Sequence, residues 1–207
     1  MEEPTTKVAK KRYNTILKVA LQLFLEKGYE NTSLQDIIKA SGGSLATIYK
    51  YFDGKDGLFY AILRHQIHIF ESSAKNSLKI DEKLEVKDYL RSFGEFFINA
   101  IYDRQNLQLF RIIMIESFRD GGKMSDFFNN YAMTSLNNML AVYFKKNSDK
   151  FRFSDHHFLA STFIALIRRN YMFDTVVSKS DTENAKKEKL ASLDSMIDIF
   201  LAGTLKK

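Results

Sequence analysis

Thr47, Tyr49, Lys50 and Tyr51 place a hydroxyl, two phenols and an ammonium on one short stretch of chain, with Ser44, Leu45 and Ala46 just before them and Lys55 just after. These types at this spacing suit the edges and backbone of a nucleic-acid duplex. Thr47 and Lys50, three apart, can reach base edges together, while Leu45 and Ala46 can touch thymine methyl groups. Thr32, Ser33, Tyr49, Tyr51 and Lys55 suit phosphate oxygens, contacts that set position without specifying sequence. Ser44 stands where this helix begins and belongs to the same DNA-facing set. A helix with only a packing role has no need of so many polar tips on its unpacked face.

Other chemistry is poorly served. His65 and His68 are three apart and share a helix side, but there is no cysteine and no second histidine pair at metal-ligand spacing, so neither metal nor cofactor is expected. Ser154, Asp155 and His156 are the residue types of a hydrolytic triad, yet neighbours within one turn cannot meet as nucleophile, base and orienter. Ser154 reads instead as a helix cap. With no glycine-rich phosphate loop, nucleophile elbow or paired-carboxylate motif, an enzyme has no mechanism here.

The elements that must hold the polar stretch are helices. From Lys7 to Lys27 the apolar residues Ile16, Leu17, Ala20, Leu21 and Phe24 recur at helical steps, and Gly28 supplies a stop. Ser33 and Asp36 match a capping box ahead of a short helix with Leu34, Ile37 and Ile38 on its inner stripe. Ser41, Gly42 and Gly43 then turn the chain, since glycine accepts the left-handed backbone that ends one helix and leads to the next. A third helix runs from Ser44 as N-cap to Phe52, with Ile48 and Phe52 on one face, and Asp53 and Gly54 close it. Two short helices joined by a tight glycine turn form a helix-turn-helix over Ser33 to Phe52, whose second helix fits a major groove about 12 Å wide.

These residues are familiar as a set. Gly28-Tyr29, Thr32-Ser33-Leu34 with Asp36-Ile37-Ile38, Gly42-Gly43-Ser44, Thr47-Ile48-Tyr49-Lys50-Tyr51-Phe52 and Lys55-Asp56-Gly57-Leu58 closely resemble the N-terminal domain of the TetR family of transcriptional regulators, over about residues 10–60. The resemblance implies an all-α protein with a three-helix DNA-binding domain and a larger helical domain for ligand binding and dimerisation. It further implies a homodimer on double-stranded, palindromic operator DNA, released by a small-molecule effector that moves the fourth helix, with an efflux system as one candidate for control. Gly43, Leu45, Ala46 and Gly54 depart from the family's usual residues. Leu45 takes away a hydrogen-bonding reader, which shifts specificity toward a thymine methyl, Lys50 or DNA shape. Gly57, in the first turn of the fourth helix, costs about 1 kcal/mol relative to alanine and is expected to loosen the joint there.

Beyond Lys55 the periodicity gives longer helices at about 56–78, 84–103, 106–119, 123–146, 154–175 and 183–205, about nine helices in total, and no strand. The domains are expected to be residues 1–55 and 56–207. Mixed apolar and polar stripes make His65, His68, Phe93, Phe96, Phe97, Phe110, Met114, Phe128, Tyr131, Ser135, Asn138 and Phe173 candidates for an effector pocket, though aromatic residues at helical spacing mostly fill cores. The last two helices carry Phe158, Leu159, Thr162, Phe163, Leu166 and Ile167, then Leu190, Leu193, Ile197, Phe200 and Leu201. By the resemblance these form a four-helix dimer interface. Arg168 and Arg169 interrupt the first stripe and need acidic partners or solvent.

The composition agrees with this reading. At 207 residues, 45% hydrophobic and 27% charged, the chain has the balance of a folded globular protein. A net charge of +6 permits attraction to phosphate, and Lys7, Lys10, Lys11, Arg12 and Lys18 gather near the beginning. The absence of cysteine and of a secretory apolar stretch fits the cytoplasm, and no apolar run approaches the roughly 20 residues that cross a bilayer. The competing reading is a helical ligand-binding or adaptor protein that keeps the helix-turn-helix but has lost sequence-specific DNA binding through the Gly43 and Leu45 changes.

Overall fold

The computed structural model describes residues 4–78, 84–169, 171 and 182–206. In chain order its α-helices are α1 (Lys7–Lys27), α2 (Leu34–Ser41), α3 (Leu45–Phe52), α4 (Lys55–Ser77), α5 (Val86–Ile101), α6 (Arg104–Arg119), α7 (Lys123–Phe128), α8 (Thr134–Lys146), α9 (His156–Arg168), α10 (Thr182–Ala191) and α11 (Leu193–Thr204). The protein is all-α; among the described residues β pairing is limited to one antiparallel bridge between Phe151 and Leu205. No described helix is long and apolar enough to cross a membrane.

The chain divides into two compact units, Met1–Ile69 with Ile112–Phe127, and Phe70–Arg111 with Phe128–Lys207. The first unit therefore reaches past residue 55, where composition and periodicity placed the boundary. The reason is side-chain packing. Phe59 of α4 meets Phe24 and Tyr29 edge-on at 5.5 and 5.2 Å, Tyr60 lies 4.8 Å from Phe127, and Arg119 pairs with Glu30 at 3.1 Å. Ile113 and Met124 are buried, as are Leu58, Ile62 and Leu63 of α4. None of these partners is near in sequence.

The second unit is built on a core of Tyr89, Leu90, Phe93 and Phe97 from α5, Leu140, Tyr143 and Phe144 from α8, Leu159, Phe163 and Ile167 from α9, and Leu193, Ile197, Phe200 and Leu201 from α10's successor α11. Tyr89 and Tyr143 stack with centroids 3.6 Å apart. The single helix expected over 123–146 is α7, a π-helical turn at Asn129–Met133, and α8. The one expected over 183–205 is broken at Ser192 into α10 and α11. Of the helix expected over 154–175, α9 covers the first part; Phe173 lies outside the described residues. The two C-terminal stripes are also sorted by packing: most of their large residues fill this unit's own core, leaving Phe158 exposed on α9, while the large residue exposed on α11 is Ile199, outside the expected stripe.

Candidate nucleic-acid interface

Short-range chemistry sets the helix-turn-helix. Thr6 caps α1 by accepting from the Ala9 amide at 3.2 Å, and the Gly28 amide donates to the Phe24 carbonyl at the other end. Ser33 and Asp36 form a reciprocal capping box at the start of α2: the Ser33 hydroxyl oxygen accepts from the Asp36 amide at 3.1 Å, and the Asp36 carboxylate accepts from the Ser33 amide at 3.1 Å. The Ser33 amide, followed by its hydroxyl, holds the Asp36 carboxyl below its ordinary pKa. Gly42 ends α2 in the left-handed region at φ 71°, and Arg12 of α1 donates to its carbonyl at 2.8 Å, tying the turn to the first helix. Ser44 caps α3 by accepting from the Thr47 amide at 3.2 Å. Asp53 then stops α3 at φ 60°, a left-handed conformation uncommon outside glycine.

Ile37, Ile48 and Phe52 are fully buried, and they fix which side of α3 remains outside. Tyr49 is 55% and Leu45 40% exposed, beside exposed Ser44, Ala46 and Lys50. Thr47 is half-buried, with its hydroxyl 2.8 Å from that of Ser44, so these two act as a pair. Tyr51 has a packing role as well as a half-buried edge, since its ring meets Tyr13 at 6.0 Å. Lys50 lies 5.6 Å from the Tyr51 ring. Lys55 donates to the Glu30 carbonyl at 3.3 Å and sits 4.3 Å above the Tyr29 ring, which holds its ammonium at the start of α4.

Thr32 requires a correction. It is fully buried, and its hydroxyl donates to the carbonyls of Gly28 at 2.8 Å and Leu23 at 3.2 Å. That side chain closes the loop between α1 and α2 and has no free edge for a phosphate. Gly57 also differs from expectation. A β-carbon there would lie 1.6 Å from the Phe52 carbonyl oxygen, so the glycine permits α3's end to press against α4's start and tightens the joint.

Behind the exposed face lies a polar cluster that periodicity did not reveal. The Tyr29 hydroxyl donates to Asp56, and Arg119 pairs at 3.1 Å with both Glu30 and Glu116. Burial, that hydrogen bond and the neighbouring carboxylates push the Tyr29 phenol well above its ordinary pKa. Glu116 is buried, and desolvation raises its carboxyl pKa against the lowering pull of Arg119. Tyr29, Glu30 and Asp56 lie far along the chain from Glu116 and Arg119, so the spacing of residues in the sequence did not bring them together.

Bacterial regulatory proteins of the tetR family match residues 16–62, and the C-terminal domain of AefR-like transcriptional repressors matches residues 88–203. The chain belongs to the TetR family. It is 40% identical over 84 residues to the HTH-type transcriptional repressor ComR of Escherichia coli K12, a match covering 39% of this chain and 40% of ComR. The chain spans between about a third and a half of the length of the curated relatives it matches. Solved structures extend over nearly the whole chain. A TetR-family chain from Mesorhizobium loti superposes with a TM-score of 0.85 at 21% identity, covering 98% of this chain and 100% of that one. The flavonoid-responsive regulator FrrA gives 0.75 at 25% identity, with 96% and 99% covered.

In this TetR-family protein the effector candidates fall into different surroundings. Phe93 and Phe97 are buried in the second unit's core, 6.2 Å from each other, with Phe93 6.3 Å from Phe163, and they serve packing. Phe96 is half-buried against Phe70, and Phe110 against Phe128 at 5.4 Å. The Ser135 hydroxyl donates to Glu71. Tyr131 and Asn138 are exposed. His65, His68 and Met114 belong to the first unit, with both histidines exposed and Met114 half-buried.

Proposed function

We propose that this TetR-family protein is a repressor that binds a palindromic operator as a homodimer in the cytoplasm and is released by a small apolar or amphipathic effector. The observation that carries the reading is the outer face of α3. Ser44, Leu45, Ala46, Tyr49 and Lys50 stand exposed on a helix whose other face is locked by Ile48 and Phe52. Ser33, Thr47, Tyr51 and Lys55 flank it, each fixed in place by a local contact. A rigid helix with a polar, unpacked face is what major-groove reading demands. Supporting the repressor role are the kinship with ComR and the AefR-like C-terminal match. Supporting effector release is the likeness to FrrA, a flavonoid-responsive regulator.

Dimerisation is assigned to the outer faces of α9 and α11. There Phe158 is 52% and Ile199 66% exposed, alongside the small residues Ser161, Ala165, Ser195 and Ala202. Large apolar groups set among small ones let two copies approach closely about a two-fold axis.

Selection from a random duplex pool tests the function directly. The full chain is expected to enrich an inverted repeat with half-sites about one helical turn, roughly 34 Å, apart. Lys50→Ala is expected to change the enriched sequence at one position, worth about 1–3 kcal/mol of discrimination, while Tyr49→Phe weakens binding to all sequences alike. Absence of any enriched repeat would refute the repressor reading in favour of a chain that no longer reads DNA. Because binding is linked, an effector that loosens the operator must itself be loosened by operator to the same factor.

A further inference from the structure

Arg168 closes α9 inside the second unit, half-buried, and its Nη1 donates at 2.8 Å to the Sδ of Met133. A thioether is a weak, uncharged acceptor. Among the described residues no carboxylate lies within ion-pair distance of Arg168; this unit's ion pairs, Lys87 with Asp198 and Arg91 with Asp194, use exposed side chains. Burial lowers the guanidinium's pKa from its ordinary value, with only the Tyr171 phenol acting the other way. A cation removed from water without an anion opposes folding. The arrangement makes sense if an anion arrives.

The surroundings describe that anion's body. Tyr171 is fixed by donating its hydroxyl to the Ile101 carbonyl at 2.6 Å, and its ring lies 6.0 Å from Phe110, which in turn meets Phe128. One helical turn along α8 from Met133, and so on the same face, Asn137 carries a buried Oδ1 with no hydrogen-bond partner. A cationic donor without its anion and an acceptor without its donor thus occur together on packed helices α8 and α9.

We propose that Arg168 and Asn137 form the head-group end of the effector site, and that the effector is an aromatic or otherwise apolar carboxylic acid. The carboxylate displaces Met133 Sδ and takes two parallel N–H donors from the guanidinium, a charge-assisted pairing that a thioether cannot match. A hydroxyl elsewhere on the molecule donates to Asn137 Oδ1, and Phe110, Phe128 and Tyr171 face its apolar part. This inference rests on the effector-released reading above and names the chemical class of the effector.

The test uses the full chain and two acid and amide pairs, 4-hydroxycinnamate with 4-hydroxycinnamamide and decanoate with decanamide, titrated calorimetrically. Wild type is expected to bind at least one acid about ten- to a hundredfold more tightly than its amide. Arg168→Gln is expected to erase that preference and, without ligand, to hold or raise the thermal midpoint. Equal affinity for acid and amide, a preference that survives Arg168→Gln, or no binding of either acid at millimolar concentration would each overturn the proposal. So would a midpoint lowered by several degrees in Arg168→Gln, which would assign the residue to the fold alone. Release of the enriched duplex is followed in parallel by fluorescence anisotropy. An acid bound through Arg168 that leaves the duplex bound keeps the anion site and refutes effector release; an amide that binds and releases the duplex does the reverse.

Discussion

Gly57→Ala sets two effects of opposite sign against each other. Gly57 lies in the first turn of α4, where alanine is favoured over glycine by about 1 kcal/mol in helical propensity alone. In the folded chain, however, the added β-carbon would meet the Phe52 carbonyl oxygen at 1.6 Å and the Phe52 carbonyl carbon at 2.8 Å, whereas contacts under 3.0 Å are essentially never tolerated. These are backbone atoms, so no side chain can rotate away. Relief requires moving the start of α4 off the end of α3 by more than an ångström, which disturbs buried Phe52, Leu58 and Phe59 together. Overpacking of this kind costs about 1–3 kcal/mol, and displaced backbone lies at the upper end. A net loss of about 1–2 kcal/mol is therefore expected in urea unfolding of the full chain, with a reduced midpoint and an unchanged slope. Operator affinity is expected to fall as well, because Phe52 orients α3. A stabilised Gly57→Ala variant would refute the close-approach argument and restore the view of Gly57 as a loose hinge.

The remaining expectations concern caps, charge and assembly. Ser33→Ala removes half of the capping box and is expected to cost about 1 kcal/mol by thermal unfolding; the contribution of Asp36, whose folded pKa is lowered, is present above its unfolded pKa and lost as pH falls below about 4. Glu116→Gln is expected to stabilise the chain at pH 7. The folded carboxyl pKa is raised, so the ionised form is the disfavoured one, and the gain over wild type should shrink as acid protonates Glu116 and vanish near pH 4 in unfolding curves taken across that range. Ile199→Asp places a charge on the exposed face of α11 and is expected to convert dimer to monomer in sedimentation experiments while leaving the helical content unchanged; a dimer that persists would move the interface elsewhere.

Much of the DNA-facing unit was legible from neighbours in sequence. Ser33 and Ser44 cap helices because a hydroxyl satisfies amides only three residues away, and Gly42 stops α2 because of its own backbone freedom. The buried positions Ile37, Ile48 and Phe52 follow from helical spacing. Thr32 was not legible, because a threonine beside a helix start looks the same whether its hydroxyl meets a phosphate or two carbonyls of its own loop. Nor was Gly57, whose necessity depends on a carbonyl of the preceding helix.

Sequence alone determined the first three helices, the Ser33 and Ser44 caps and the polar set from Ser44 to Lys55, since those depend on interactions spanning one or two turns. Tertiary structure alone decided that Ile112–Phe127 joins the first unit, that Phe93 and Phe97 are core, and that Arg168 is left facing a thioether. In each of those cases the outcome turns on which distant side chain fills the neighbouring space, and periodicity along a chain carries no information about that.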